Sequence, residues 1–225
     1  GDVQYALFIF YGIVPWTFFQ ACAIGGMNSL TANASIIKKV YFPRLILPFG
    51  AALMSLFDFV FYFFILILFI VLHSLFTPQP FIFAESLIAT TSLSASAPFV
   101  IHLTWGIFLF PFFMLQAIVA GVGLGLIFGA LDAQFRDAGR VLVVLVNVWF
   151  WLTPIIYSTA QFNLLDGWVN RLNPMSLVIE GFRWAFLGMS APPISFLMST
   201  GVAIALFLIG AFYFKRIENT LMDVL

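Results

Sequence analysis

Charge is what this sequence has least of. Asp, Glu, Lys and Arg make up 8% of its 225 residues, against about 25% in a soluble domain. The nine basic and nine acidic side chains cancel, so no net positive field favours nucleic acid as a partner. The single cysteine, Cys22, excludes an internal disulfide and a cysteine metal cluster, and reads as a small apolar packing residue. Two histidines, His73 and His102, lie far apart near the ends of apolar runs, which argues against metal ligation. No Ser-His-Asp set, paired carboxylates or metal-spaced ligands share a loop, so neither an enzyme active site nor a metal site is expected. None of the three lysines stands in a G-x-x-x-x-G-K-[ST] context, and a nucleotide-binding loop is therefore absent. The chain begins Gly-Asp-Val, with neither Met nor a basic n-region. It carries no signal peptide at its start, which reads as a cut inside a longer protein.

What is present is apolar surface. Hydrophobic residues make up 63% of the chain and the mean hydropathy is +1.12, which defines a polytopic membrane protein. Five spans of about 20 apolar residues can be read: Tyr5 to Met27, Leu45 to Leu72, Phe99 to Leu131, Val141 to Tyr157 and Ile194 to Phe214. Between them lie a polar hinge from Asn28 to Arg44 and a Ser-, Thr- and Pro-rich stretch from His73 to Ala97. A short charged loop, Asp132 to Arg140, and a mixed region, Ser158 to Pro193, complete the connections. Lys38, Lys39, Arg44, Arg136, Arg140, Lys215 and Arg216 all fall on one side, leaving only Arg171 and Arg183 of the nine basic residues on the other. The basic side is cytoplasmic by the positive-inside rule, so the chain begins outside and its C-terminus is cytoplasmic.

The fourth span carries the strongest local signal. Pro154 breaks it near its end, and Asn173-Pro174 restarts a helix, with Asn as N-cap and Pro as first helical residue. That helix runs to Gly188 and places Glu180 and Arg183 on one face, three residues apart. A span that stops short and sends helices back toward the bilayer suits a gate or pore lining, since irregular backbone at membrane depth must be buried in protein or line a wet cavity. The plainer alternative is a helix lying on the membrane surface. Beside the break stand Trp149, Trp151 and Tyr157, with Trp168 and Trp184 beyond. These suit either an interfacial belt or a surface on which sugar rings stack. Asp58, central in the second span, is a functional candidate by default. A simpler role is a hydrogen bond to a neighbouring helix through Asn147 or Gln116, and a lone carboxylate makes a poor proton relay. Gly121, Gly123, Gly125 and Gly129 sit inside an apolar helix with no following Lys, which reads as helix packing rather than a phosphate cradle.

Four stretches then carry a resemblance: Asn33-Ala-Ser-Ile-Ile-Lys-Lys-Val-Tyr-Phe-Pro-Arg44, Ala130-Leu-Asp-Ala-Gln-Phe-Arg-Asp137, Trp149-Phe-Trp-Leu-Thr-Pro-Ile-Ile-Tyr157 and Leu172-Asn-Pro-Met-Ser-Leu-Val-Ile-Glu-Gly-Phe-Arg-Trp-Ala-Phe-Leu-Gly188. In order and spacing they resemble ABC-2 type polysaccharide export permeases over essentially the whole chain. The resemblance implies an all-α membrane bundle, with about five spans here and six in the full family, plus short re-entrant gate helices on the outer side. Residues 1–225 would form one transmembrane domain lacking the family's N-terminal interface helix and first span; the stretch from His73 to Ala97 is longer than the family's usual outer connection.

The same resemblance assigns roles. Asn33, Lys38, Lys39, Tyr41, Phe42, Pro43 and Arg44 would belong to the loop that docks on an ATPase, with Asp132, Arg136 and Asp137 in a second inner loop near it. Asn173, Pro174, Glu180 and Arg183 would belong to the gate helices, and Trp149, Trp151, Tyr157, Trp168 and Trp184 would guide a glycan. The implied assembly joins two copies of this chain to two separate ATPase subunits that bind ATP and Mg, so this chain would hold no cofactor of its own and hydrolyse nothing. It would export a lipid-linked glycan (O-antigen, capsule or teichoic acid) across the bacterial cytoplasmic membrane. The competing expectation is an ABC-2 type exporter of drugs or small lipids. A membrane-embedded glycosyltransferase would need a convergence of carboxylates or His on one loop, which the sequence does not offer.

Overall fold

The computed structural model describes residues 2–33, 45–76, 105–135, 137–157 and 167–217. Within them are seven α-helices: α1 (Asp2–Ala32), α2 (Ile46–Phe76), α3 (Phe110–Gln134), α4 (Ala138–Leu152), α5 (Trp168–Leu172), α6 (Ser176–Leu187) and α7 (Leu197–Ile217). Short 3-10 turns, Trp105–Leu109 and Ile194–Phe196, lead into α3 and α7. The expected all-α membrane bundle is what the chain forms.

Four stretches are long and apolar enough to cross a membrane: Tyr5–Ser29, Ile46–Phe69, Trp105–Gln134 and Ile194–Ile217. The expected fifth, Val141 to Tyr157, is different. Its helix starts earlier, at Ala138, and ends at Leu152 after 15 residues. At 1.5 Å per residue that is roughly 22 Å, short of the ~30 Å hydrocarbon core. Pro154 supplies the physical reason for the stop, since the residue before a proline is pushed out of the helical region, and Thr153 is extended at φ −93° and ψ 140°. Other boundaries also move. The first helix continues through Asn28 and Ser29 to Ala32, so the polar hinge begins later than its composition suggests.

The centre of the bundle is α3, clasped between α1 and α7. Side chains as small as hydrogen make this possible. A Cβ at Gly121 would stand 2.7 Å from the Cβ of Cys22, one at Gly125 2.9 Å from the carbonyl oxygen of Ala23, and one at Gly123 2.6 Å from the backbone nitrogen of Phe207. Gly121 and Gly125, four apart, open one face of α3 to α1, while Gly123 opens another to α7. Close backbone approach of this kind is how helices associate where lipid is as apolar as the core. By contrast α2 turns Phe57, Phe61 and Phe64 outward, each at least 60% exposed, toward lipid or another subunit.

Two anchors close the α3–α4 turn. The Asp132 carboxylate accepts a 2.9 Å hydrogen bond from the Gly139 backbone N–H, neutralising an orphan donor in the first turn of α4. Arg140 pairs with Asp137 at 3.0 Å, with both side chains more than 80% exposed. Pairs of that kind contribute little to stability.

Candidate functional site

The re-entrant segment is built from the broken end of α4 outward. Thr153 Oγ1 donates back to the Trp149 carbonyl at 2.8 Å and accepts from Asn173 Nδ2 at 2.9 Å. The same Asn173 takes the Met175 backbone N–H on its Oδ1 at 3.0 Å. Asn173 is therefore not the N-cap and Pro174 is not the first helical residue. Asn173 makes a local side-chain turn instead, Met175 is the cap residue, and α6 begins at Ser176. It ends at Gly188, which adopts the left-handed conformation at φ 66° that closes many helices.

All twelve residues of α6 are buried. It packs on α1, on α3 and on the Trp105–Leu109 turn. Phe182 lies 5.2 Å from Phe110 between ring centroids, and Phe186 stacks on Tyr11 at 5.8 Å. The helix thus packs inside the bundle rather than on its surface.

Arg183 fixes it there. Its guanidinium is fully buried and meets Glu180 Oε1 at 3.2 Å, so the two charges on one face do pair. Nη2 donates to the Ile155 carbonyl at 2.7 Å, with a longer 3.5 Å contact to the Phe8 carbonyl. The group also sits 3.6 Å from the centroid of the Phe8 ring, a favourable cation–π distance. Gly12 makes the space: a Cβ there would stand 3.2 Å from Arg183 Nη2. One side chain therefore joins α6, the loop after Pro154 and α1.

A second junction involves Gln116. Its Nε2 donates to the Pro174 carbonyl at 2.8 Å and to Ser199 Oγ at 2.9 Å, while Oε1 accepts from Thr200 Oγ1 at 2.9 Å. It clamps the start of α6 to α3 and α7. Gln116 was considered above only as a tether for Asp58, and that tether does not form. Asn147 is exposed on α4, and Asp58 makes no hydrogen bond to another described residue. The structural role of Gln116 was foreshadowed only by its being a lone amide in an apolar span; nothing in the sequence pointed to Ser199 or Thr200 as its partners.

The aromatic candidates divide. Trp151 is 68% and Trp168 48% exposed, and Arg171 lies 5.5 Å from the Trp168 ring centroid. Tyr157 is half-buried and donates to the Leu152 carbonyl at 3.0 Å. Trp149 is half-buried, edge-on to Phe19 at 6.1 Å. Trp184 is buried, edge-on to Trp105 at 4.6 Å, and its face is not open to a ligand. In the inner loop, Asn33 donates to the Ser29 carbonyl at 2.8 Å. Lys38, Lys39, Tyr41, Phe42, Pro43, Arg44 and Arg136 lie outside the described residues, as does most of His73 to Ala97. Among the described residues no three His, Cys, Asp or Glu side chains converge as a metal ion would require.

Comparison with known proteins places this geometry in context. Residues 1–187 match the sequence profile of the family described as ABC-2 type transporter. Two Klebsiella pneumoniae proteins named O-antigen export system permease protein RfbA are 26% and 27% identical over 224 residues, 99% of this chain and 76% of each relative. A Myxococcus xanthus protein of the same name is 26% identical over 185 residues, which is 81% of this chain and 61% of that relative.

Proposed function

Because the chain belongs to the ABC-2 type transporter family, we propose that it is the permease subunit of a transporter that exports a lipid-linked polysaccharide. Members of this family are transmembrane subunits whose ATPase lies in a partner. Two copies would form the pore in the bacterial inner membrane, with the basic side and the C-terminus facing the cytoplasm. The names of the O-antigen export relatives, matched over nearly the whole chain, favour a glycan over drugs or small lipids.

The observation that carries the reading is the re-entrant helix. A span that ends after 15 residues and hands over to a helix inside the bundle would give the outer end a plug built from protein, the setting in which irregular backbone at membrane depth is tolerated. The exposed Trp151 and Trp168 beside it, with Tyr157, would let successive sugar rings slide over apolar faces. Energy would enter through the loop bearing Lys38, Lys39 and Arg44.

The test is export in living cells. Deleting the gene should trap lipid-linked glycan inside and strip it from the surface, as read by surface-glycan staining of intact cells. Intact surface glycan with altered drug resistance would instead favour the small-molecule alternative. Lys38→Glu with Lys39→Glu should weaken co-purification with the ATPase and lower export together; unchanged values for both would remove the loop from the coupling scheme. Trp151→Ala with Trp168→Ala should reduce export severalfold, in line with about 0.5–1.5 kcal/mol per aromatic contact, and leave assembly and basal ATP hydrolysis unaltered.

A further inference from the structure

Polar residues of α1 and α2 gather on one seam. Along α1 they are Thr17, Gln20 and Asn28; along α2, Ser55, Asp58 and Tyr62. Each set repeats at helical spacing, so each forms a stripe, and the two stripes face one another across a groove of about 340 Å³. A second hollow of about 460 Å³ continues it, sharing Gly25 and Asn28 and reaching Asn33 and Ile46. Both volumes fall in the range of ligand sites, roughly 300–1,000 Å³. From Thr17 to Asn33 the seam runs roughly 24 Å at 1.5 Å per residue. It starts at the end where the Lys38, Lys39 and Arg44 loop departs and reaches mid-membrane.

Asp58 stands at the middle of the Ile46–Phe69 span and is exposed on the groove. A carboxylate at that depth is not left against hydrocarbon. Gly25 brings α1 into van der Waals reach of Ala51 and Ser55 on α2, as small residues do in membrane seams, and the groove lies beside that contact, lined by Gln20, Asp58 and Tyr62. The Asp58 carboxylate and the Gln20 and Asn28 amides, beside the Tyr62 ring that is 49% exposed, offer acceptors and donors for hydroxyl groups and a face for C–H edges; the Thr17 and Ser55 hydroxyls donate within their own helices. We propose that the α1–α2 seam is the track along which the glycan's hydroxyls are held as it passes through the inner half of the membrane, with Asp58 as its central contact. This rests on the export reading above and adds the place where the polymer is gripped.

The experiment uses the full-length permease co-expressed with its ATPase, in cells with and without glycan synthesis. Single cysteines are placed at Gln20, Asp58 and, as a lipid-facing control, Phe212, after Cys22→Ala. The probe is a charged, water-soluble thiosulfonate. Gln20→Cys and Asp58→Cys should label, Phe212→Cys should not, and glycan synthesis should slow the first two. In parallel, Asp58→Leu should cut export by about fivefold, the worth of an ordinary hydrogen bond. Asp58→Asn, which still donates and accepts, should retain most of it. Labelling that ignores glycan synthesis overturns the proposal. So does an absence of labelling at the two groove positions, or a disulfide from Asp58→Cys to a cysteine on another helix, which would mean that protein fills the seam. If gene deletion leaves surface glycan intact, the export reading itself fails. If deletion abolishes surface glycan while Asp58→Leu exports normally, only the track fails.

Discussion

Arg183→Met should destabilise the assembled permease by about 3–5 kcal/mol, the usual cost of deleting one member of a buried ion pair. The reason lies in what the substitution strands. Glu180 would keep its charge in a buried helix without its 3.2 Å partner, and the Ile155 carbonyl would lose its 2.7 Å donor. The loop after Pro154 would then be free to part from α1, and export should fall with stability. Heating the detergent-solubilised complex and following its elution by fluorescence measures the effect. Arg183→Lys keeps the charge, but its compact ammonium cannot span Glu180 and the carbonyl as a planar fork does, so an intermediate loss is expected. Glu180→Gln combined with Arg183→Met should recover part of the stability, because no charge is left uncompensated. A single Arg183→Met protein that melts like the parent would show that the buried pair does not hold the re-entrant helix.

Gly123→Leu should prevent a correctly packed bundle from forming at all. Overpacking a core ordinarily costs about 1–3 kcal/mol because side chains shift to make room. Here the obstacle is backbone: a Cβ would stand 2.6 Å from the Phe207 nitrogen, and Gly210 on α7 presses against the Gly123 carbonyl in return. Only separation of α3 from α7 relieves the clash, and that also breaks the Gln116 bonds to Ser199 and Thr200. The expected result is loss of the monodisperse elution peak with protein still present in membranes. Gly201→Ala is the matched control, since no atom lies within 4 Å of a Cβ at that position, and it should be neutral. Normal assembly of Gly123→Leu would refute the close α3–α7 contact.

The two sites also mark the limits of sequence reading. Hydropathy located the spans, and Pro154 located the break, because both express local physics: apolar length against bilayer thickness and a ring that forbids the preceding helical residue. The Glu180–Arg183 pair was legible from its spacing alone. Asn173 was misread because its side chain had two possible turns to make, and the nearby Thr153 hydroxyl, 20 residues away, favoured the one that delays the helix to Ser176. Trp184 looked like its neighbours in sequence, yet it is buried in a T-shaped contact with Trp105.

By itself the sequence determined that this is a helical membrane protein, which loops carry the basic residues, and where one of the five expected spans is interrupted. Tertiary structure alone decided which faces meet. In water, a buried face declares itself by being apolar. In a bilayer the lipid-facing side is equally apolar, so hydropathy is silent on orientation and packing follows shape and polar contacts instead. That is why the glycines of α3 announced close approach but not their partners, why Gln116 joined Pro174 and α7 rather than Asp58, and why only the folded chain turned Asp58 toward a groove with Gln20.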